Sequence, residues 1–200
     1  EAVYWLGQTL IELHDTAGAK AVYQKALQAK GSEPLLLVGM GHVELLENKT
    51  NEARQRFETA ISLTKGKDVG IYDAVGHANV DAAAGDAKYA IEKLKAATEV
   101  KRFKDPDVYI NMGDAYRKLM DGGAAVTAYQ TALTLNDKLA EAKYKIGKIY
   151  RTQGDDQAKI FLENFNDAIT MDQKYAPAYY DLYSYWYSRD VNKARDFFAK

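Results

Sequence analysis

The chain has no cysteine, only three prolines in 200 residues and almost no net charge, with 27 Lys and Arg against 28 Asp and Glu. Without cysteine there is no disulfide, no thiolate nucleophile and no cysteine-ligated zinc. So little proline leaves long stretches free to be helical. A formal charge of -1 offers no global field to phosphate backbones or anionic lipids, so nucleic acid is not an expected partner. No apolar run approaches the ~20 residues of a membrane span, and none is expected. The opening EAVYWLGQTLIEL lacks the charged lead and cleavage site of a signal peptide. Cytoplasm and bacterial periplasm both suit such a composition.

What the chain does have is a repeat. From Gly7 the next landmarks are Ala19, Tyr23 and Ala26, and the same internal spacings return at Gly41, Ala53, Phe57 and Ala60. They return again at Gly113, Ala125, Tyr129 and Ala132. Ala78, Ala90, Leu94 and Ala97 form a degenerate copy between them. A fifth, at Gly147, Phe161, Phe165 and Ala168, has two extra residues between its halves, which the stretch DDQAKIF absorbs. Tyr179, Leu182, Ala194 and Phe198 mark a partial sixth. Successive starts lie 34, 37, 35 and 34 residues apart.

Within each unit the apolar residues recur at helical spacing, as in Tyr109, Met112, Tyr116 and Leu119 followed by Val126, Tyr129 and Leu133. Each unit therefore reads as two amphipathic helices. Glycine or alanine lets the two cross closely, and the aromatic fills the space beside the crossing. Breaks at His14-Asp15-Thr16, Asn48-Lys49-Thr50, Gly85-Asp86, Asp121-Gly122-Gly123, Gly154-Asp155 and Arg189-Asp190 supply turns and caps, while Pro34 and Pro106 suit helix starts.

The period, with the segment YINMGDAYRKLMDGGAAVTAYQTAL at Tyr109 to Leu133, resembles the tetratricopeptide-repeat family over nearly the whole chain. The resemblance implies an all-α, right-handed superhelical solenoid of about six helix-turn-helix repeats, over residues 1–32, 33–66, 67–104, 105–138, 139–174 and 175–200 of a single array. The 37-residue interval places a longer linker or an extended helix near residues 64–78, able to bend the array. The first unit begins inside a helix and the last is short, so further repeats or another domain are expected to flank the segment.

In that family the first helices line a concave groove, which implies a scaffold that holds a protein or peptide. Positions three before, one after and four after each small residue share one helical face. They include His42 and Asn79 in an apolar early stretch, then Asp114, Arg117, Tyr144, Lys148, Arg151 and Tyr180 in a charged and aromatic late one. The expected ligand is a peptide with an apolar segment and an acidic one, the latter meeting Arg117, Lys148 and Arg151. The competing reading is a solvated face in which Asp114 pairs with Arg117. Some family members clamp a chaperone tail's terminal carboxylate. Asn79, Asn111 and Lys145 match parts of that set, but Val75 and Glu141 stand where lysines belong, so that specificity is not expected.

The run YYDLYSYWY at Tyr179 to Tyr187 holds more aromatics than one helix can bury, which points to an interface or to self-association through the ends. His14, His42 and His77 lie in separate units without metal-ligand spacing, and Gly39-Met40-Gly41 sits inside a helical pattern rather than between strand and helix. No catalytic residue, metal or cofactor is expected. The alternative function is a regulatory or sensory module whose effector domain lies elsewhere.

Overall fold

The structure is a computed structural model that describes residues 1–199. Among the described residues there are twelve α-helices and no strand. In chain order they are α1 (Ala2–Glu12), α2 (Thr16–Lys30), α3 (Pro34–Leu46), α4 (Thr50–Leu63), α5 (Val69–Asp81) and α6 (Ala87–Thr98). Then follow α7 (Pro106–Lys118), α8 (Gly122–Leu135), α9 (Ala140–Gln153), α10 (Ala158–Met171), α11 (Ala176–Tyr187) and α12 (Val191–Phe198). The expected all-α, helix-turn-helix architecture is the one observed.

The helix starts follow from their caps. Aspartates at positions 15, 68, 86, 105, 121 and 190 each accept backbone N–H groups from the first turn of the following helix. Each satisfies donors that the helix cannot. Pro34 and Pro106 open α3 and α7, where a missing N–H is no loss. At the far ends, His14 and Asn48 take φ values of 60° and 61°. Asp15 and Lys49 then donate back to the Leu10 and Glu44 carbonyls, at 2.8 and 2.7 Å. This six-to-one bond closes the helix and turns the chain sharply into its partner.

The chain forms two compact units, Glu1–Met120 and the residues from Asp121 on. In the first, α1, α3 and α5 pack on α2, α4 and α6, and α1 also packs beside α3, α3 beside α5 and α5 beside α7. In the second, α8 packs on α9, α9 on α10, α10 on α11 and α11 on α12.

The repeat frame is visible as interlocked small and large residues. A Cβ on Gly7 would meet the Tyr23 ring at 2.1–2.5 Å, one on Gly41 the Phe57 ring at 2.5–3.0 Å, and one on Gly147 the Phe165 ring at 2.6–2.7 Å. In the third pair Gly76 rather than Ala78 makes room, with Leu94 at 2.6–2.8 Å from the same imagined atom. Tyr23, Phe57, Leu94, Tyr129 and Phe165 are all buried, each contributing about 2–3 kcal/mol of apolar burial.

The two length anomalies lie in turns. After α4, Lys65 and Gly66 take φ values of 55° and 62°, and α5 starts only at Val69. The extra residues of the fifth pair form a single 3₁₀ turn, Asp155–Gln157, ahead of α10.

Candidate functional site

In the first unit, the three-position stripe is closed on α1, α3 and α5, and on α7 it is closed except at Arg117. Tyr4, Gln8 and Ile11 on α1, Val38, His42 and Leu45 on α3, and Val75 and Asn79 on α5 are all buried, as are Ile110 and Asp114 on α7. The physical reason is the direct packing of successive first helices, which small and neutral side chains permit. The expectation that His42 and Asn79 face an accessible groove is thereby corrected: they are 1% and 3% exposed.

Both are committed to internal bonds. Tyr23 Oη donates to the Tyr4 carbonyl at 2.9 Å and accepts from Gln8 Nε2 at 2.9 Å. Gln8 Oε1 is then the atom facing His42 Nδ1 at 3.1 Å, while His42 Nε2 faces the Asp81 carboxylate at 2.9 Å. A backbone carbonyl can only accept, so the directions of the Tyr23 and Gln8 bonds follow from it, and the His42 ring is left between an amide oxygen and a carboxyl group, one at each nitrogen. The His42 hydrogen bond holds the Asp81 carboxyl below the usual range, and His77 meets the His42 ring edge-on at 6.0 Å.

Asn79 ties the end of α5 to the next turn. Its Nδ2 donates to the Val75 carbonyl at 2.9 Å and its Oδ1 accepts from Asp86 N at 3.1 Å. Lys118 donates to the carbonyls of Asn79, Val80 and Ala82, placing an ammonium on the negative end of that helix. Asn111 donates to Asp73 at 2.8 Å. Burial, reinforced by Asp105 and Asp107, pushes the Asp73 carboxyl up to about 6 against that hydrogen bond and the weaker pull of His77. Arg117 is mostly exposed and pairs with Asp114 at 3.5 Å.

The second unit treats the same positions differently. Asp181 on α11 is 4% exposed and gathers Tyr144, Lys148 and Arg151 from α9. Tyr144 Oη donates at 2.9 Å and Lys148 Nζ at 3.1 Å. Arg151 Nη1 donates to the carboxylate and, at 3.3 Å, to the Asp181 carbonyl, with Nη2 3.4 Å from Ser184 Oγ. Burial, with the carboxylate alongside, holds the Tyr144 hydroxyl above its ordinary range. Lys145 pairs with Glu141 at 2.7 Å, and its ammonium stands 5.9 Å from the Tyr129 ring.

Two cations thus share one carboxylate, and both reach solvent, with Lys148 40% and Arg151 28% exposed. Tyr180 is 70% exposed on the following helix. Asp181 did not stand out in the sequence, because it lies two residues before the frame position and inside an aromatic run. Among the described residues no group of three or more His, Asp or Glu side chains could hold a metal ion, and no helix is long and apolar enough to cross a membrane.

Comparison with known proteins places this geometry. A tetratricopeptide-repeat model matches residues 1–32 and 106–139. No curated protein matches by sequence. Among solved structures, the type IV pilus biogenesis factor PilW superposes with a TM-score of 0.70 at 13% identity, covering 99% of this chain and 90% of its own. TTC0263, a tetratricopeptide protein of Thermus thermophilus, gives 0.67 at 21% identity over 88% and 93%. YrrB, a tetratricopeptide protein with an unusual peptide-binding site, gives 0.56 at 21% identity over 90% and 89%. At these identities the likeness is one of fold: the helix pairs have the tetratricopeptide-repeat fold, and the segments 1–32 and 106–139 match tetratricopeptide repeats in sequence.

Proposed function

We propose that the chain is a non-catalytic scaffold that holds a protein or peptide segment along the first helices of the second unit, on the face formed by Tyr144, Lys148, Arg151 and Tyr180. One observation carries the reading: Lys148 and Arg151 share a single buried carboxylate, which leaves one positive charge uncompensated at a partly exposed surface. An acidic side chain of a ligand completes the pairing without displacing Asp181. Tyr180 offers a rigid aromatic surface beside it. Peptide binding by YrrB, which shares the fold, supports this class of function.

The test is a library of short displayed peptides selected on the wild-type chain, followed by affinity measurements on Lys148→Gln and Tyr180→Ala. Lys148 is the residue to neutralise, because reversing Arg151 would set two carboxylates together around buried Asp181. Selected peptides are expected to carry Asp or Glu beside an apolar residue. Lys148→Gln should weaken them about twofold to fivefold, as loss of one exposed ion pair does. Peptides without acidic enrichment, bound equally by both variants, would remove this surface from consideration.

A further inference from the structure

We propose that the first unit holds an acidic protein segment on the edge formed by its α4–α5 and α6–α7 loops, a role that goes beyond the reading above, which concerns the second unit only. The loops joining one helix pair to the next run over residues 31–33, 64–68, 99–105, 136–139 and 172–175. The second and third are the longest, at five and seven residues against three or four. Packing of the pairs alone does not require that length. These two loops are also where cations collect, Lys65 and Lys67 in one and Lys101, Arg102 and Lys104 in the other, all exposed. None of the other three loops carries more than one.

Most cations elsewhere in the first unit are engaged: Lys20, Arg54, Arg56 and Lys93, for example, each pair with a carboxylate. Among the described residues the side chains of the five loop cations have no such partner. Lys25, Lys88 and Lys95 are also unpaired, but they are scattered over α2 and α6. The two loops contain three acids, Asp68, Glu99 and Asp105. Both aspartates are turned onto helix starts, Asp68 accepting from the Gly70 and Ile71 N–H groups and Asp105 from that of Asp107. An excess of unpaired positive charge is left facing solvent.

The two loops lie on one edge. α5 packs beside α7, and Asn111 in the second turn of α7 donates at 2.8 Å to Asp73 in the second turn of α5. Helices in such contact are roughly 8–10 Å apart, so the loops leading into them are neighbours. Each loop is held against its helix. A Cβ on Gly66 would meet Tyr72 Oη at 2.9 Å, and the Phe103 ring packs edge-on against Tyr109 at 5.7 Å. Cations on ordered loops lose less entropy when a ligand arrives. Charge selects the occupant. Asp68 and Asp105, with Asp107 at the start of α7, interrupt the cations, so a continuous polyanion such as a phosphate backbone or an anionic bilayer is repelled at those points. Separate carboxylates along a protein segment can pair with the cations and leave the aspartates clear.

Fluorescence anisotropy with a labelled short peptide, glutamate alternating with glycine or serine, tests the proposal. The wild-type chain should bind it, more weakly as salt is added. Combining Lys101→Gln, Arg102→Gln and Lys104→Gln removes exposed, unpaired charges, so helical circular dichroism should be unchanged while binding weakens about tenfold. Combining Lys25→Gln, Lys88→Gln and Lys95→Gln makes the same change in net charge on α2 and α6 and should weaken binding less than about twofold. Equal losses in the two sets would mean that binding follows net charge rather than these loops, and would overturn the proposal. No binding by the wild-type chain would do the same, as would tighter, loop-dependent binding to phosphatidylserine vesicles than to the peptide. Lys148→Gln separates this site from the face on the second unit. Binding lost in that variant but kept in the loop set would overturn the present proposal and leave the reading of the second unit standing.

Discussion

On α3 and on α5 with the residue that ends it, the positions three before, one after and four after the frame are Val38, His42 and Leu45, then Val75, Asn79 and Ala82, and all six are buried. On α9 they are Tyr144, Lys148 and Arg151, which remain in partial contact with solvent. The repeat geometry is common to both units, so the difference lies in side-chain length and charge. Short apolar and neutral polar residues let one first helix close on the next, and the polar atoms that remain satisfy one another in a chain from Tyr4 to Asp81. Lysine and arginine cannot be buried that way. They reach instead to one carboxylate supplied by the next first helix, and their stems and charges remain at the surface.

Removing the same residue type from the two stripes is the sharpest way to break this contrast. Arg151→Met leaves Asp181 buried with one cation fewer and should cost about 3 kcal/mol in urea denaturation. Arg117→Met removes only an exposed pair with Asp114 and should cost less than about 1 kcal/mol. Equal costs would mean that Asp181 is no hub and that the second unit's stripe is merely a solvated face. A smaller effect, about 2 kcal/mol, is expected for His42→Leu, which deprives Gln8 Oε1 and the Asp81 carboxyl of their shared imidazole partner. If His42→Leu were neutral or stabilising, the closure of the first unit would rest on apolar packing alone.

The helices were legible in the sequence to within a few residues, because aspartate caps, the two prolines and the glycine–aromatic frame are local signals. The pairing of Asp114 with Arg117 at a spacing of three was legible for the same reason. The groove was not. Helical periodicity tells which way a side chain points from its own helix but not what stands opposite, and what stands opposite His42 comes from Gln8 and Asp81, 34 and 39 residues away. Asp181 shows the same limit from the other side. Its neighbours at Tyr180 and Leu182 gave no reason to single it out, and its role comes from three residues on α9. The glycine of the third pair was displaced for a subtler reason: Gly76 and Ala78 are both small, and only the position of Leu94 distinguishes them.

Close to the closed stripe, α5 carries a carboxyl made to ionise late. Asp73, bonded to Asn111, has its value raised from 3.8 to about 6 by burial, with Asp105 and Asp107 adding to it. A raised folded-state value means that the folded chain holds this proton more tightly than the unfolded one does. The stabilisation is therefore complete below the unfolded value near 3.8 and is lost as pH rises through about 6. Asp81 acts in the opposite sense, since its lowered value favours the folded chain above the unfolded value and is lost on acidification. The two are separated by replacing one. Asp73→Asn keeps a partner for Asn111 but cannot ionise, so it should gain about 1 to 2 kcal/mol over the wild-type chain at pH 7.5, after discounting for partial solvent screening. At pH 4 that advantage should vanish, with urea denaturation at the two pH values as the measurement. An advantage independent of pH would show that Asp73 is costly because of its shape or its hydrogen bonding rather than its charge.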